Sequence, residues 1–260
     1  AASDVYKRQV LEGETDESLN TQISFFRQRA LPDLSNNIKC GNSLIGPDFY
    51  NQTELALDDE ERYRINVFDW QSEFEGIMNY GGFDVVIGNP PYDEISEFAW
   101  GREIVESNFL TSRALYKLAL GGRLNLFRFF IMRATELVKD AGLHSFIVQL
   151  PLLSDRLRQA VRRHLVSNYQ FHSIECFPQK DDPLRRVFKE AKLSTCIYIL
   201  EIQLPKNEMF VHVYPGREFE NGIENLIRQE EILEVDPDGC AVPLVNFETW
   251  QVVKKLSQAG

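Results

Sequence analysis

The sequence is short of several features that would settle its class at once. Its four cysteines, Cys40, Cys176, Cys196 and Cys240, stand singly in 260 residues. They lack the paired spacing of a zinc site or a redox dithiol, so no metal centre is expected, and they read as small buried apolar residues in a reducing compartment. No apolar run approaches the ~20 residues needed to cross a bilayer, and the N-terminus lacks a basic-then-apolar leader; the expected location is the cytoplasm, with no membrane partner. Positive charge is also in deficit, with 28 Lys and Arg against 39 Asp and Glu, a net charge of −11. That excludes a chain whose main affinity comes from blanketing phosphates. Two local basic clusters remain, RLRQAVRRH at 156–164 and PLRRVFKEAK at 183–192, and a solvated helix face is the plain account of the first. There is no internal repeat and no low-complexity tract.

The hydrophobic pattern, by contrast, is informative. Residues 1–9 carry no period. Residues 18–30 place Leu19, Ile23, Phe26 and Ala30 on one helical face before Pro32. NIKCGNSL predicts a short strand at Ile38–Cys40 that breaks at Gly41, and the polar, acidic stretch 47–66 reads as a surface insertion. FDVVIG, bounded by Gly81-Gly82 and Gly88-Asn89, has the continuous apolar character of a strand buried on both faces of a parallel sheet. Residues 125–139 predict an amphipathic helix, HSFIVQL a strand, and Ser154 the cap of a helix with Leu157, Val161 and Leu165 inward; FHSIECF and LSTCIYILEI follow as strands. Alternation of this kind predicts an α/β layered fold with a mostly parallel sheet. Beyond residue 203, Pro205, Pro215, Pro237 and Pro243 punctuate short pieces, as at the approach to another domain.

The stretch with the most chemistry is FDVVIGNPPYDE, residues 83–94. Ligands of open α/β sheets bind beyond the carboxyl ends of strands, which is where Gly88–Tyr92 falls. Pro90 and Pro91 lack N–H groups and fix φ near −65°, so they make a stiff loop rich in acceptors. The Asn89 side-chain oxygen and the Pro90 carbonyl suit an exocyclic amino group, which has two hydrogens to donate. Holding both hydrogens makes the nitrogen more tetrahedral and frees its lone pair for attack, with the gain coming from orientation and stabilised positive charge. Tyr92 offers a face for a base ring, a contact worth about 1–3 kcal/mol in nucleic-acid complexes.

NPPY after a strand resembles the catalytic motif of S-adenosylmethionine-dependent amino-methyltransferases, and NIKCGNSLIG with FDVVIGNPPY resembles the DNA adenine-N6 methyltransferase region of type IIG restriction-modification enzymes. GGRLNLFRFFIMRATELVKDAGLHSFIV is similar to the family's helix that begins Asn-Leu-Tyr, with Phe127 in place of the tyrosine. RVFKEAKLSTCIYIL is similar to its later motif, in which a phenylalanine five residues before a strand stacks on the flipped base. The resemblance implies a Rossmann-like methyltransferase fold, incomplete on its N-terminal side, with S-adenosylmethionine as cofactor. Its implied substrate is double-stranded DNA with an adenine rotated out of the stack.

By position, Asn89, Pro90, Pro91 and Tyr92 are the implied catalytic motif, Tyr92 and Phe188 the rings on either side of the target base, and Asn42, Leu126 and Phe130 the cofactor contacts. Phe177 rivals Phe188, core packing is the plain account of Leu126 and Phe130, and Asn42 stands where the family often has Asp. The family's glycine-rich cofactor motif and the acidic residue after it are absent. The expected organisation is therefore a piece of a longer bacterial restriction-modification or phage-defence polypeptide. In it, 1–17 is a tail, 18–202 a partial catalytic domain with an insertion at 47–66, and 203–260 the start of a linker or target-recognition region. The remaining domains of the parent chain are its expected partners. A protein-glutamine methyltransferase, which shares NPPY, and a silent DNA-binding scaffold are the alternatives.

Overall fold

The computed structural model describes residues 37–52, 57–96 and 105–259. The chain divides into two compact units, Ala1–Asn42 and Ser43–Gly260. The expected helix at 18–30 and the tail at 1–17 lie outside the described residues; in the first unit, Ile38–Cys40 form no strand.

The second unit opens with four short helices, α1 (Phe49–Gln52), α2 (Asp59–Ile65), α3 (Trp70–Glu73) and α4 (Glu75–Met78). Asp58 and Glu61 form a reciprocal capping box at the start of α2, and Asp69 caps α3 through the amides of Gln71 and Ser72. The stretch 47–66 is therefore more than a polar excursion, since it sends Phe49 and Ile65 into the core.

Strand β1 (Phe83–Gly88) follows, then α5 (Val105–Ser112), a 3-10 helix (Ala114–Ala119), α6 (Leu126–Leu137) and β2 (Val138–Gln149). The expected helix 125–139 stops one residue before Val138, which opens the strand. Ala141 takes a left-handed φ of 58°, and Gly142 has no room for a side chain, because a Cβ there would lie 2.6 Å from Val138 Cγ1 and 2.9 Å from the Asp84 carbonyl oxygen. Helix α7 (Gln159–Asn168) leads to β3 (Gln170–Phe177), β4 (Thr195–Glu201), β5 (Glu208–Val213), β6 (Ile223–Arg228), α8 (Gln229–Val235) and α9 (Phe247–Ala259).

The strands form one sheet in the order β1-β2-β4-β3-β5-β6. The α/β class and the mostly parallel sheet are as expected: β1, β2, β3 and β5 run one way, with β1–β2 and β3–β5 pairing parallel, while β4 and β6 run against them, so that β2–β4, β4–β3 and β5–β6 pair antiparallel. The reason lies in the connections. A parallel return needs a crossover, usually helical, and 178–194 contains no helix, so β4 inserts between β2 and β3 running the other way. Beyond residue 203, β5 and β6 extend the same sheet, and Cys240, Val242 and Trp250 are buried in the same core.

One face of the sheet, carrying Phe146, Val148, Ile174, Cys196, Tyr198, Leu200 and Val211, is buried with the apolar stripes of α6 and α7. The other face is open. On β1, expected to be buried on both sides, Val85 is 53% and Ile87 79% exposed, because they stand on that open face in register with Leu143 and Ser145. Cys176, Cys196 and Cys240 are buried and Cys40 is exposed, and no disulfide forms among the described residues.

Candidate active site

The loop Asn89–Tyr92 leaves the carboxyl end of β1, where a parallel neighbour, β2, ends in the same direction. Three hydrogen bonds hold the loop to the rest of the unit. The Tyr92 hydroxyl donates to the Ile147 carbonyl at 3.1 Å, the Asn125 side-chain amide donates to the Tyr92 carbonyl at 2.8 Å, and the Leu126 amide donates to the Asp93 carbonyl at 2.9 Å. Asn125 also accepts from the Phe127 amide and so caps α6. Burial pushes the Tyr92 phenol up, so it stays a donor and is no general base at neutral pH. The Asn89 side chain is exposed and makes no hydrogen bond among the described residues, which leaves its carbonyl oxygen free to accept.

Asn89, Pro90 and Pro91 line two different cavities. The first, about 490 Å³, adds Tyr92, Val187, Phe188 and Leu193. Here the Phe188 ring faces Tyr92 with 6.1 Å between centroids and 69° between planes, and Phe127 packs edge-on against Tyr92 at 6.3 Å. The rival ring, Phe177, lies elsewhere: it is buried, stacked on Tyr214 at 5.3 Å and edge-on to Phe219 at 5.2 Å. The loop carrying Phe188 is held by its own turns, with Gln179 accepting from the Asp181 amide at 3.0 Å and Asp182 accepting from the Leu184 amide at 2.9 Å.

The second cavity, about 250 Å³, lies on the side of Ile87, Trp70, Phe130, Arg133 and Phe146. Trp70 is set by an indole N–H bond to the Ser43 carbonyl at 3.1 Å and by an edge contact to Phe83 at 5.9 Å. Arg133 donates to the Tyr116 hydroxyl at 3.2 Å and pairs with Glu136. Tyr116 is itself fully buried, and burial pushes its phenol up to about 12. Gly88 is required between the cavities, since a Cβ there would come 2.9 Å from Phe146 Cε1.

Thus Asn89, Pro90, Pro91, Tyr92 and Phe188 come together, and Phe130 lines the second cavity. Leu126 does not; it is 8% exposed, belongs to the core and lines neither cavity, because as the first residue of α6 its position is taken up in the turn that latches the loop. Asn42 ends the first unit and is half-buried there. Sequence reading missed Trp70, Arg133, Phe146 and the latch Asn125. Only Asn125 carried a local signal, an Asn immediately before an apolar helical run.

A strand end that stands between two cavities, one aromatic and open, the other smaller and walled by rings, is where α/β proteins of the open-sheet class hold their ligands. The chain belongs to the Eco57I restriction-modification methylase family, whose sequence model matches residues 13–182. It is 26% identical over 248 residues to the type II restriction enzyme and methyltransferase RM.Eco57I of Escherichia coli, covering 95% of this chain and 21% of that protein. It is 25% identical over 207 residues to RM.MjaORFECS2P of Methanocaldococcus jannaschii, covering 76% of this chain and 16% of that protein. The chain therefore spans about a fifth or less of these relatives' lengths. Among solved structures, the type IIG restriction endonuclease BpuSI overlays with a TM-score of 0.44 at 17% identity, over 63% of this chain and 21% of that one.

Proposed function

We propose that this chain is the base-activating part of a site-specific DNA adenine-N6 methyltransferase in a bacterial, cytoplasmic restriction-modification enzyme. Its substrate is double-stranded DNA with a flipped adenine, and it acts together with the remaining domains of its parent polypeptide. The observation that carries this reading is the shared wall: Asn89, Pro90 and Pro91 border both the Tyr92–Phe188 cavity and the Trp70–Phe130 cavity. An acceptor nitrogen on one side would lie across a single loop from a methyl donor on the other.

The second cavity suits part of S-adenosylmethionine. Trp70, Phe130 and Phe146 are walls for an adenine ring, and Arg133, balanced by Glu136, adds no net charge against a sulfonium. At about 250 Å³ it falls below the ~300–1,000 Å³ of whole ligand sites, which agrees with a cofactor gripped partly by a glycine-rich segment outside these residues. Asn42 remains a candidate contact. The cofactor supplies an electrophilic methyl group.

The protein's part is orientation. The Asn89 Oδ1 and the Pro90 carbonyl accept the two N6 hydrogens, pyramidalise the nitrogen and aim its lone pair past the edge of the loop, in line with the methyl group on the other side. They then stabilise the positive charge on nitrogen until its proton passes to water. Tyr92, locked by its bond to the Ile147 carbonyl, and Phe188 replace the stacking lost on flipping.

The test uses the intact parent enzyme. Asn89→Ala should lower methyl incorporation into target duplex by about 10²–10³ or more, the usual cost of an oriented transition-state contact, with cofactor binding retained. Nucleoside analysis should identify the product as N6-methyladenine. An Asn89→Ala enzyme that methylates adenine at the normal rate overturns the mechanism, and a product on another base overturns the substrate.

A further inference from the structure

The basic cluster at 156–164 divides into two pairs with different fates. Arg158 and Arg162 are used inside the fold. Arg158 pairs with Asp155, and its guanidinium carbon lies 6.0 Å from the Phe127 ring centroid. Arg162, 2% exposed, donates to the carbonyls of Gly239 at 2.7 Å and of Leu152 and Asp155 at 2.9 Å. Arg156 and Arg163, by contrast, are exposed, and neither side chain makes a hydrogen bond or ion pair among the described residues.

Those two arginines line one groove of about 640 Å³ between α7 and the segment Leu118–Gly121, together with Leu120, Leu157 and Ser167, and among the described residues no carboxylate lines it. In a chain of net charge −11, a groove with two unpaired guanidinium groups and no acid is a marked local excess of positive charge. Its wall is fixed from beneath, because the buried guanidinium of Arg128 donates to the Gly121 carbonyl at 3.0 Å and the Leu157 carbonyl at 3.1 Å. Arg156 stands in a short 3-10 turn, Arg156–Arg158, and Arg163 in α7, so the two guanidinium groups come from successive elements along one groove.

The segment that carries Arg156 is also tied to the site. Arg158, two residues from Arg156, donates to Gln149 at the carboxyl end of β2 at 3.4 Å and covers Phe127, which packs against Tyr92. We propose that this groove holds the sugar-phosphate backbone of DNA flanking the flipped base. Arg156 and Arg163 each neutralise a phosphate there, the Ser167 hydroxyl can donate to another, and the leucines lie against the sugars. This rests on the DNA-methyltransferase reading and adds to it a surface for the flanking duplex.

The experiment measures binding of a short fluorescent duplex to the intact parent enzyme as salt is varied, for the wild type, the double variant Arg156→Gln/Arg163→Gln, the double variant Arg156→Lys/Arg163→Lys, and Arg217→Gln as a control arginine. Loss of two phosphate contacts should reduce the slope of log affinity against log salt by about 1.8, since each contact contributes about 0.9. The glutamine variant should bind DNA at least tenfold more weakly at low salt, with unchanged cofactor affinity as evidence of an intact fold. The lysine variant and Arg217→Gln should keep the wild-type slope. A glutamine variant with the wild-type slope and affinity overturns the groove proposal alone, and capture of an acidic protein segment instead of DNA does the same. A wild-type enzyme that binds cofactor but no duplex overturns the reading on which it rests.

Discussion

The side-chain amide of Asn125 donates to the backbone carbonyl of Tyr92 at 2.8 Å while its own carbonyl caps α6, so one 6%-exposed side chain joins the acceptor loop to the helix that walls the second cavity. Replacing it with alanine removes the cap and leaves the Tyr92 carbonyl without a donor. Each loss is worth about 1 kcal/mol or more, so Asn125→Ala should cost roughly 2–3 kcal/mol in urea unfolding. Because the loop it holds carries both proposed acceptors, kcat for methyl transfer should fall further than the KM for DNA rises. Asn125→Asp keeps the cap but turns a carboxylate oxygen toward a carbonyl, and should restore stability only in part. Equal stability of wild type and Asn125→Ala would refute the latch.

Phe188 and Phe177 belong to one short segment, and their surroundings assign them opposite sensitivities. Two van der Waals contacts of about 3.5–4.0 Å place the faces of a sandwiched base about 7–8 Å apart, so the 6.1 Å, tilted Tyr92–Phe188 pair must open slightly to admit a ring. Phe188 is half-buried on a surface loop, and Phe188→Ala should change stability little while weakening target-base capture by about 1–3 kcal/mol; Phe188→Trp should retain it. Phe177, 2% exposed, should cost about 3–5 kcal/mol of stability as alanine. The two readouts are urea midpoints and the fluorescence of a base analogue at the target position. A Phe188→Ala enzyme with normal base capture would remove that ring from the site.

The parts of this architecture that sequence made legible are those with a local cause. FDVVIG, the helix over Leu126–Leu137 and the strands of β2, β3 and β4 follow their periods, and the acceptor loop follows from two adjacent prolines. Phe188 is proposed through the resemblance of RVFKEAKLSTCIYIL to the family's later motif. Trp70 and Arg133 could not be placed, because they reach the second cavity from segments 63 residues apart whose meeting is a tertiary event. The exposure of β1 was equally hidden, since an apolar run states that a strand wants a neighbour without saying where that neighbour is. The antiparallel insertion of β4 did leave a trace: no helical period lies between Phe177 and Thr195, and a parallel return would have needed one.

His144 ties pH to the same sheet. It is fully buried on β2, its Nε2 is 3.2 Å from the Tyr198 hydroxyl, and its Nδ1 has no partner among the described residues. Burial pulls its pKa from 6.5 to about 3. The unfolded chain therefore binds this proton more readily than the folded one. Its contribution to stability is complete above the unfolded value near 6.5 and declines as pH falls from there toward 3, by at most about 1.4 kcal/mol per pH unit. His212 works in the opposite sense: burial pulls it down, but the hydrogen bonds it donates to Glu224 and Glu175 outweigh that and leave it raised, so its contribution is complete below about 6.5 and is lost as pH rises through the folded value. The His144 effect is therefore read as a difference between wild type and His144→Gln, which keeps an acceptor for Tyr198 and cannot charge. Between pH 7 and 5 the wild type should lose urea stability relative to the variant, with the gap widening toward acid. Parallel pH profiles for the two proteins would show that His144 titrates in the folded state as it does in the unfolded chain, and would refute the buried, neutral imidazole.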